Sequence, residues 1–338
     1  MRSRLRAQAL RAALGAGATG AFLWLILRDI HIGEVGRALA GANIAYLPEI
    51  AAVYVGRFWL RALRWRALVA HLKPIAIRDA LPRVVLSQGA NLVLPFQLGY
   101  GVMIQISARK FGISRLHLLG AEAVERLWDG VTFALFLGVT MVFLPIGPAF
   151  RGLTIFMLVG TALGMLLAVE IARPGSPLSP ARNARLRRWG GQRFAEGLAA
   201  VRRPRQLADL ALLSGAIWLT EAVLFWLTAR AFGVTAEPLV FVFLVAAANV
   251  GAAIPVAQSG VGFLLLAQQA LIAVGQDPEL ATAYAIGLQG VLSLPFLVLG
   301  PLAAWQMRLQ FSDLLPWEQR RGRGDAQGEP SPQPRSAP

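Results

Sequence analysis

Apolar runs of about twenty residues alternate along this chain with short basic segments. Residues 12–30, 44–70, 118–144, 152–172, 207–232 and 278–307 each read as an apolar helix, and windows such as 130–150 and 153–169 carry no charged residue. Such stretches are long enough to cross about 30 Å of hydrocarbon. Two further apolar regions, 80–111 and 239–275, are broken near their centres by proline and glycine. The pattern predicts an all-α polytopic integral membrane protein. It has about six full transmembrane helices plus two reentrant helical hairpins in an inverted repeat.

The two broken regions share an order of features. The first holds Asn91, Pro95, Gly99 and Gly101, then a helical stretch, the polar turn GISR and a long helix. The second holds Asn249, Pro255, Gly260 and Gly262, then a helical stretch, the turn GQDPE and a long helix. The spacings are N-x3-P-x3-G-x-G and N-x5-P-x4-G-x-G. Similar units entering from opposite faces are what inverted-topology repeats predict, here about 44–172 and 207–307. Proline removes a donor and glycine accepts tight-turn angles. Non-helical backbone at membrane depth must be buried in protein or line a wet cavity. Asn91, Pro95, Gln97, Gly99, Gly101, Asn249, Pro255, Gln258, Ser259 and Gly260 are therefore candidate substrate-binding residues.

Composition agrees with the pattern. Of 338 residues, 56% are hydrophobic and 15% charged, with mean hydropathy +0.56, against about 25% charge in a soluble domain. The net charge of +15 sits in arginines at helix ends, which follow the positive-inside bias, so nucleic acid is not an expected partner. The basic segments are the N-terminus, the turn after 44–70, the connector 173–206 and the tail. This distribution puts both termini in the cytoplasm. Residues 1–315 read as a single transmembrane domain and 316–338 as a disordered cytoplasmic tail. The start resembles a signal peptide, but RDIHIGEV follows its apolar run rather than a small-residue cleavage site, so it reads as a retained first helix. In the connector, RRWGGQRFAEGLAAVRR reads as a basic amphipathic helix on the inner leaflet. The chain has no cysteine and three scattered histidines, which points to no metal and no cofactor.

The sharpest polar cluster is AEAVERLWDG. Glu122, Glu125, Arg126 and Asp129 fall at i, i+3, i+4 and i+7 on one helical face. Charges at such depth face a bundle interior or cavity and are functional candidates, here for substrate binding. Glu221 lies near the middle of its helix, a candidate for coupling, with Arg109 and Arg126 as candidate partners. Arg57, Arg61 and Arg64 share a face with Phe58, Trp59 and Trp65 between them, a pattern that suits headgroup anchoring at the interface.

At these residues the chain resembles the flippase-like membrane family that includes the transmembrane part of lysylphosphatidylglycerol synthases. The landmarks are NLVLPFQLGYG, the FGIS turn, the AVERLWD signature and the later P-x4-G-V-G-F segment, in the family's order over roughly residues 12–310. The resemblance implies a bacterial inner-membrane protein that handles lipids, aminoacylated phospholipids and isoprenoid-type lipids among them. Relatives often place glutamate directly after the first hairpin's glycine and arginine soon after; here Tyr100 and Met103 stand there. Gln258-Ser259-Gly260 replace a Pro-Gly-Gly run, and Leu265 replaces a glutamate.

The expectation is thus a lipid transporter, not an enzyme, that holds an amphipathic headgroup between two hairpins, with membrane lipids as its partners. No ATP-binding motif accompanies it. The alternative is a non-transporting subunit that scaffolds a partner membrane enzyme of lipid modification or glycosyl transfer.

Overall fold

The computed structural model describes residues 32–93, 98–144, 147–180, 190–202, 204–252 and 261–309. The predicted helix 12–30, the tail from 316, and Pro95, Gln97, Pro255, Gln258, Ser259 and Gly260 lie outside them. The described residues are helical, with no strand among them. In chain order the helices are α1 (Ile32–Ala40), α2 (Leu47–Val69), α3 (Ile77–Val93), α4 (Leu98–Phe111), α5 (Arg115–Phe143), α6 (Pro148–Ala172), α7 (Gly191–Gly197), α8 (Pro204–Ala231), α9 (Pro238–Ala252), α10 (Val261–Ala273), α11 (Pro278–Ser293) and α12 (Phe296–Gln306).

Four segments among the described residues are long and apolar enough to cross a membrane: Arg115–Phe143, Phe150–Ala172, Pro204–Ala231 and Pro278–Gln306. The last includes a break at Leu294 and Pro295 between α11 and α12, where the proline ring interrupts the helical ladder. Helix α2 has 23 residues, enough to span, but carries Arg57, Arg61, Arg64 and Arg66. The exterior is apolar. Ile155, Phe156, Val159 and Leu163 of α6 and Leu297 and Val298 of α12 are exposed. The chain is a multi-pass membrane protein.

Helices α3 and α4 replace one predicted broken span. A Cβ added at Gly99 would lie 2.5 Å from the Asn91 backbone nitrogen and 2.7 Å from the Ala90 carbonyl carbon. Residues eight apart in one continuous helix stand about 12 Å apart, so α3 and α4 lie side by side. Their far ends also meet. Lys110 Nζ, at the end of α4, lies 3.6 Å from Asp79 Oδ1 at the start of α3. Helices α9 and α10 repeat this arrangement, with Gln276 Nε2 after α10 donating to the Thr235 carbonyl before α9 at 3.2 Å.

These two pairs have their feet at opposite ends of the bundle. Helices α2 and α8 run antiparallel: Gln206 Nε2 donates to Ala67 O at 2.6 Å, while the Asn43 amide donates to Ala231 O at 2.7 Å. The first pair's feet share the Ala67 end, where Lys73 Nζ donates to Phe111 O at 2.8 Å. The second pair's feet follow Ala231 at the other end. The apolar interior divides in the same way. One core is built on α2, α3, α4 and the start of α5, and another on α8 to α11 with the far half of α5.

Over its described residues 190–202 the connector is a short helix followed by a 3-10 turn, not one amphipathic helix. Helix α7 and the 3-10 turn Leu198–Arg202 dock on α5 instead. The contact is backbone to backbone, since a Cβ at Gly120 would fall on the Phe194 carbonyl and one at Gly197 on the His117 carbonyl. His117 Nε2 lies 2.7 Å from Glu196 Oε2, and His71 Nε2 lies 2.9 Å from the Glu196 carbonyl oxygen. The hydrogen bond from His117 holds the Glu196 carboxyl below the usual carboxylate range.

Candidate functional site

Helix α2 buries one stripe, on which Ile50, Tyr54, Arg57, Arg61, Arg64 and Leu68 recur at spacings of three and four. Three arginines on a buried stripe are tolerable only where carboxylates meet them. Two neighbouring helices supply those carboxylates. Glu221 of α8 accepts from Arg57 Nη1 at 2.8 Å and Arg61 Nη2 at 3.2 Å. Arg64, wholly buried, forks across α5, with Nη2 donating to Glu125 Oε1 at 2.8 Å and Nη1 to Asp129 Oδ1 at 2.6 Å. Ser214 Oγ and Trp218 Nε1 of α8 complete this layer, at 3.1 Å from Arg64 and 2.9 Å from Asp129. A third layer joins Arg83 of α3 to Glu122 of α5 and, at 3.4 Å, to Ser107 of α4.

Aromatic faces cover the cations. Arg57 lies over Tyr54, Arg61 over Trp218 and Arg83 over Trp65, with 4.5 to 4.6 Å between guanidinium carbon and ring centroid. Such stacking compensates part of the hydration that burial removes.

Arg126 differs from the rest. Its Nη1 lies 3.2 Å from Asp129 Oδ2 and its Nη2 3.7 Å from Glu125 Oε1. Both carboxylates are already held by Arg64. Its side chain keeps 41% exposure, while the other four guanidiniums are buried. Its planar head stacks on Tyr100 of α4 at 4.4 Å. Arg126 is eleven positions into the 29-residue α5, about 16 Å from that helix's start and short of its midpoint.

Asn91 stands at the same level. Gly99, pressed against it, is the residue before Tyr100. Both amide atoms of Asn91 are buried and make no hydrogen bond, and neither does Ser87 Oγ one turn away. Asn249 of the second pair has spent its amide locally, donating to Val245 O at 2.9 Å.

The structure therefore gathers Glu122, Glu125, Arg126, Asp129 and Glu221 with Arg57, Arg61 and Arg64 in one network. The three α2 arginines turn inward onto carboxylates, away from the interface at which the sequence pattern set them. Glu221 takes its ion pairs from Arg57 and Arg61, not from Arg109 or Arg126. Gly101 lies at the α4 end of the site, where an added Cβ would meet nothing within 4 Å. Sequence reasoning missed Arg83 and Tyr100. Arg83, Ser87 and Asn91, polar at every fourth position in an apolar helix, were the available signal for the first. Of the departures from relatives, Tyr100 is the stacking partner of Arg126, and Met103 is buried in the core. No group of residues suited to a metal ion occurs among the described residues.

A model of the family described as the lysylphosphatidylglycerol synthase TM region matches residues 8–300. Among curated proteins, glycosyltransferase AglD of Haloferax volcanii is 25% identical over 302 residues, which covers 76% of this chain and 48% of that protein. The chain spans about half the length of that relative. No solved structure matches.

Proposed function

The chain belongs to the lysylphosphatidylglycerol synthase transmembrane-region family, and from that premise we propose that it binds an amphipathic lipid by its headgroup and moves it between leaflets. In this reading α3–α4 and α9–α10 are reentrant hairpins of an inverted repeat. Each helix of these pairs has 17 residues or fewer, short of the roughly 20 that a span needs. Six full spans accompany them, including residues 12–30. Both termini lie in the cytoplasm of a bacterial inner membrane. Lipid tails stay in the bilayer, and no covalent bond is made or broken.

One observation carries the proposal: a half-exposed guanidinium, Arg126, stands on a helix long enough to span and stacks on Tyr100 of the first pair. Its carboxylate partners already have another cation in Arg64. Arg126 can therefore be shared with an incoming phosphate without leaving a buried carboxylate unpaired. The test is reconstitution of the purified chain in vesicles with a leaflet-specific headgroup assay. Protein-dependent, headgroup-dependent transfer is expected, and Arg126→Gln lowers its rate at least about tenfold, the loss of one charge-assisted contact. Transfer no faster than in empty vesicles, or unchanged in Arg126→Gln, overturns the reading.

The relative's name and greater length support a second reading, a membrane scaffold for a separate enzyme of lipid modification or glycosyl transfer. Co-purification of such an enzyme from native membranes, together with no lipid transfer by the chain alone, would favour it.

A further inference from the structure

We propose a second ligand site, separate from Arg126: a cavity at the feet of the first pair that takes a phosphomonoester, the form of phosphate with two ionisable oxygens. The cavity, of about 460 Å³, lies where the end of α12 meets the start of α3 and the end of α4. Small-molecule sites occupy roughly 300–1,000 Å³. Asp79 of α3, Arg109 and Lys110 of α4, and Gln306 and Arg308 at the end of α12 line it, beside the buried Ile106. Arg109 is nine residues beyond Tyr100, about 13 Å further along α4, so the cavity shares no residue with the Arg126 site.

Two features of the lining select the ligand. The first is charge. Among the described lining residues three cations face one carboxylate, an excess of two positive charges. Asp79 lies 3.6 Å from Lys110 Nζ and 3.9 Å from Arg78 Nε, so its charge is already offset when an anion enters. A phosphomonoester brings roughly −1.5 to −2 at neutral pH and matches that excess, whereas a phosphodiester, with one ionisable oxygen, leaves half of it unmatched. The second feature is Arg308. Its φ is 54°, and it is the only non-glycine residue with positive φ among the described residues. Its amide donates to the Trp305 carbonyl at 2.9 Å and the Leu309 amide to the Ala304 carbonyl at 3.0 Å. This is the cap with which glycine, or sometimes asparagine, ends a helix, and a larger side chain there strains the backbone. A cation that only offset the α12 dipole could stand anywhere in the last turn. Arginine instead holds the one position that favours glycine, with its fork of donors on a cavity that already has two cations and the Gln306 amide. Such strain is the mark of a residue kept for a ligand.

The chain has no cysteine, so Gln306→Cys, at an exposed lining position, reads this cavity alone through its rate of reaction with a maleimide. The purified full chain in neutral detergent is titrated with glycerol 3-phosphate, phosphatidic acid and phosphatidylglycerol, the two lipids with matched acyl chains. The phosphomonoesters are expected to slow labelling, and phosphatidylglycerol to need at least about tenfold more, the worth of one charge-assisted contact. Glycerol 3-phosphate protecting as well as phosphatidic acid assigns the site to a soluble ligand; protection by phosphatidic acid alone assigns it to a lipid. Either supports the phosphomonoester class. Lys110→Gln raises the half-protecting concentration about tenfold. Arg308→Gly does the same while the melting temperature stays level or rises, because glycine relieves the left-handed position; a purely structural role for Arg308 would lower both together. Arg126→Gln leaves protection unchanged, and Thr235→Cys, at the other end of the bundle, is protected by none of the three. The proposal is overturned by equal protection from phosphatidylglycerol and phosphatidic acid, by protection that survives Arg308→Gly or disappears in Arg126→Gln, or by no protection at all.

Discussion

Glu221 and Arg126 both belong to ion pairs, yet their surroundings predict different fates on substitution. Glu221 is buried and neutralises two buried arginines. Glu221→Gln strands both, and breaking a buried pair by removing one partner typically costs about 3–5 kcal/mol. We expect a large fall in melting temperature and in yield from membranes. Arg126 is half-exposed and its partners keep Arg64, so Arg126→Gln costs about 1 kcal/mol or less while headgroup-dependent transfer falls. Equal destabilisation by the two changes would contradict this division. The carboxylate face of α5 was legible in the sequence, because spacings of three and four are local. Its pairing was not: Arg64 reaches Glu125 across 61 positions, and Arg57 reaches Glu221 across 164. Arginine interleaved with aromatics reads as an interface when no nearby carboxylate answers it. Only the fold supplies the answering helix.

Among the elements, the first hairpin makes unequal demands on its two glycines. Gly99 abuts backbone atoms of Asn91 and Ala90, whereas Gly101 faces open space. Gly99→Ala forces α3 and α4 apart and is expected to cost about 1–3 kcal/mol, as overpacking does. Gly101→Ala is expected to be neutral or stabilising by up to about 1 kcal/mol, from helix propensity. Thermal denaturation of the two variants checks this, and a destabilising Gly101→Ala would count against it. Sequence weighted both glycines alike because a close approach belongs to the partner helix, which the motif does not encode. The docked connector was hidden for the same reason, since its contact with α5 runs through glycine backbone. That contact has a pH signature. The Glu196 carboxyl is held below its ordinary range by His117. Its contribution to docking is therefore present above the ordinary glutamate value, about 4.3, and is lost as pH falls through the lower folded value. Hydrogen exchange across α7 is expected to be slow at neutral pH and to accelerate below about pH 4. Glu196→Gln abolishes the acid-dependent step; if it leaves the pH profile unchanged, another group controls docking.

For the whole molecule, the decisive geometry is the relation of the two hairpins to the antiparallel pair α2 and α8. Apolar periodicity gave the helices and the repeated order of Asn, Pro and Gly suggested two related units. Their opposed orientation rests on contacts between residues distant in sequence. One end of the bundle gathers Ala67, Lys73, Phe111 and Gln206; the other gathers Asn43, Ala231, Thr235 and Gln276. If both pairs are reentrant, a residue at the foot of each reports the opposite side of the membrane. Because the chain has no cysteine, single cysteines can be introduced without background. Ser114→Cys, at the foot of α4, should react with an impermeant maleimide only after the cytoplasmic face is opened. Thr235→Cys and Gln276→Cys, at the two feet of the second pair, should react in intact cells. Reading α9 and α10 as one kinked span predicts instead that these two lie on opposite sides, which their 3.2 Å hydrogen bond does not permit. Labelling of all three from one side would remove the inverted repeat, and with it the argument that the two hairpins meet at mid-depth around a shared headgroup. Labelling from opposite sides would leave Arg126, about 16 Å along α5 from its start, as the half-exposed cation that the proposed lipid phosphate would meet.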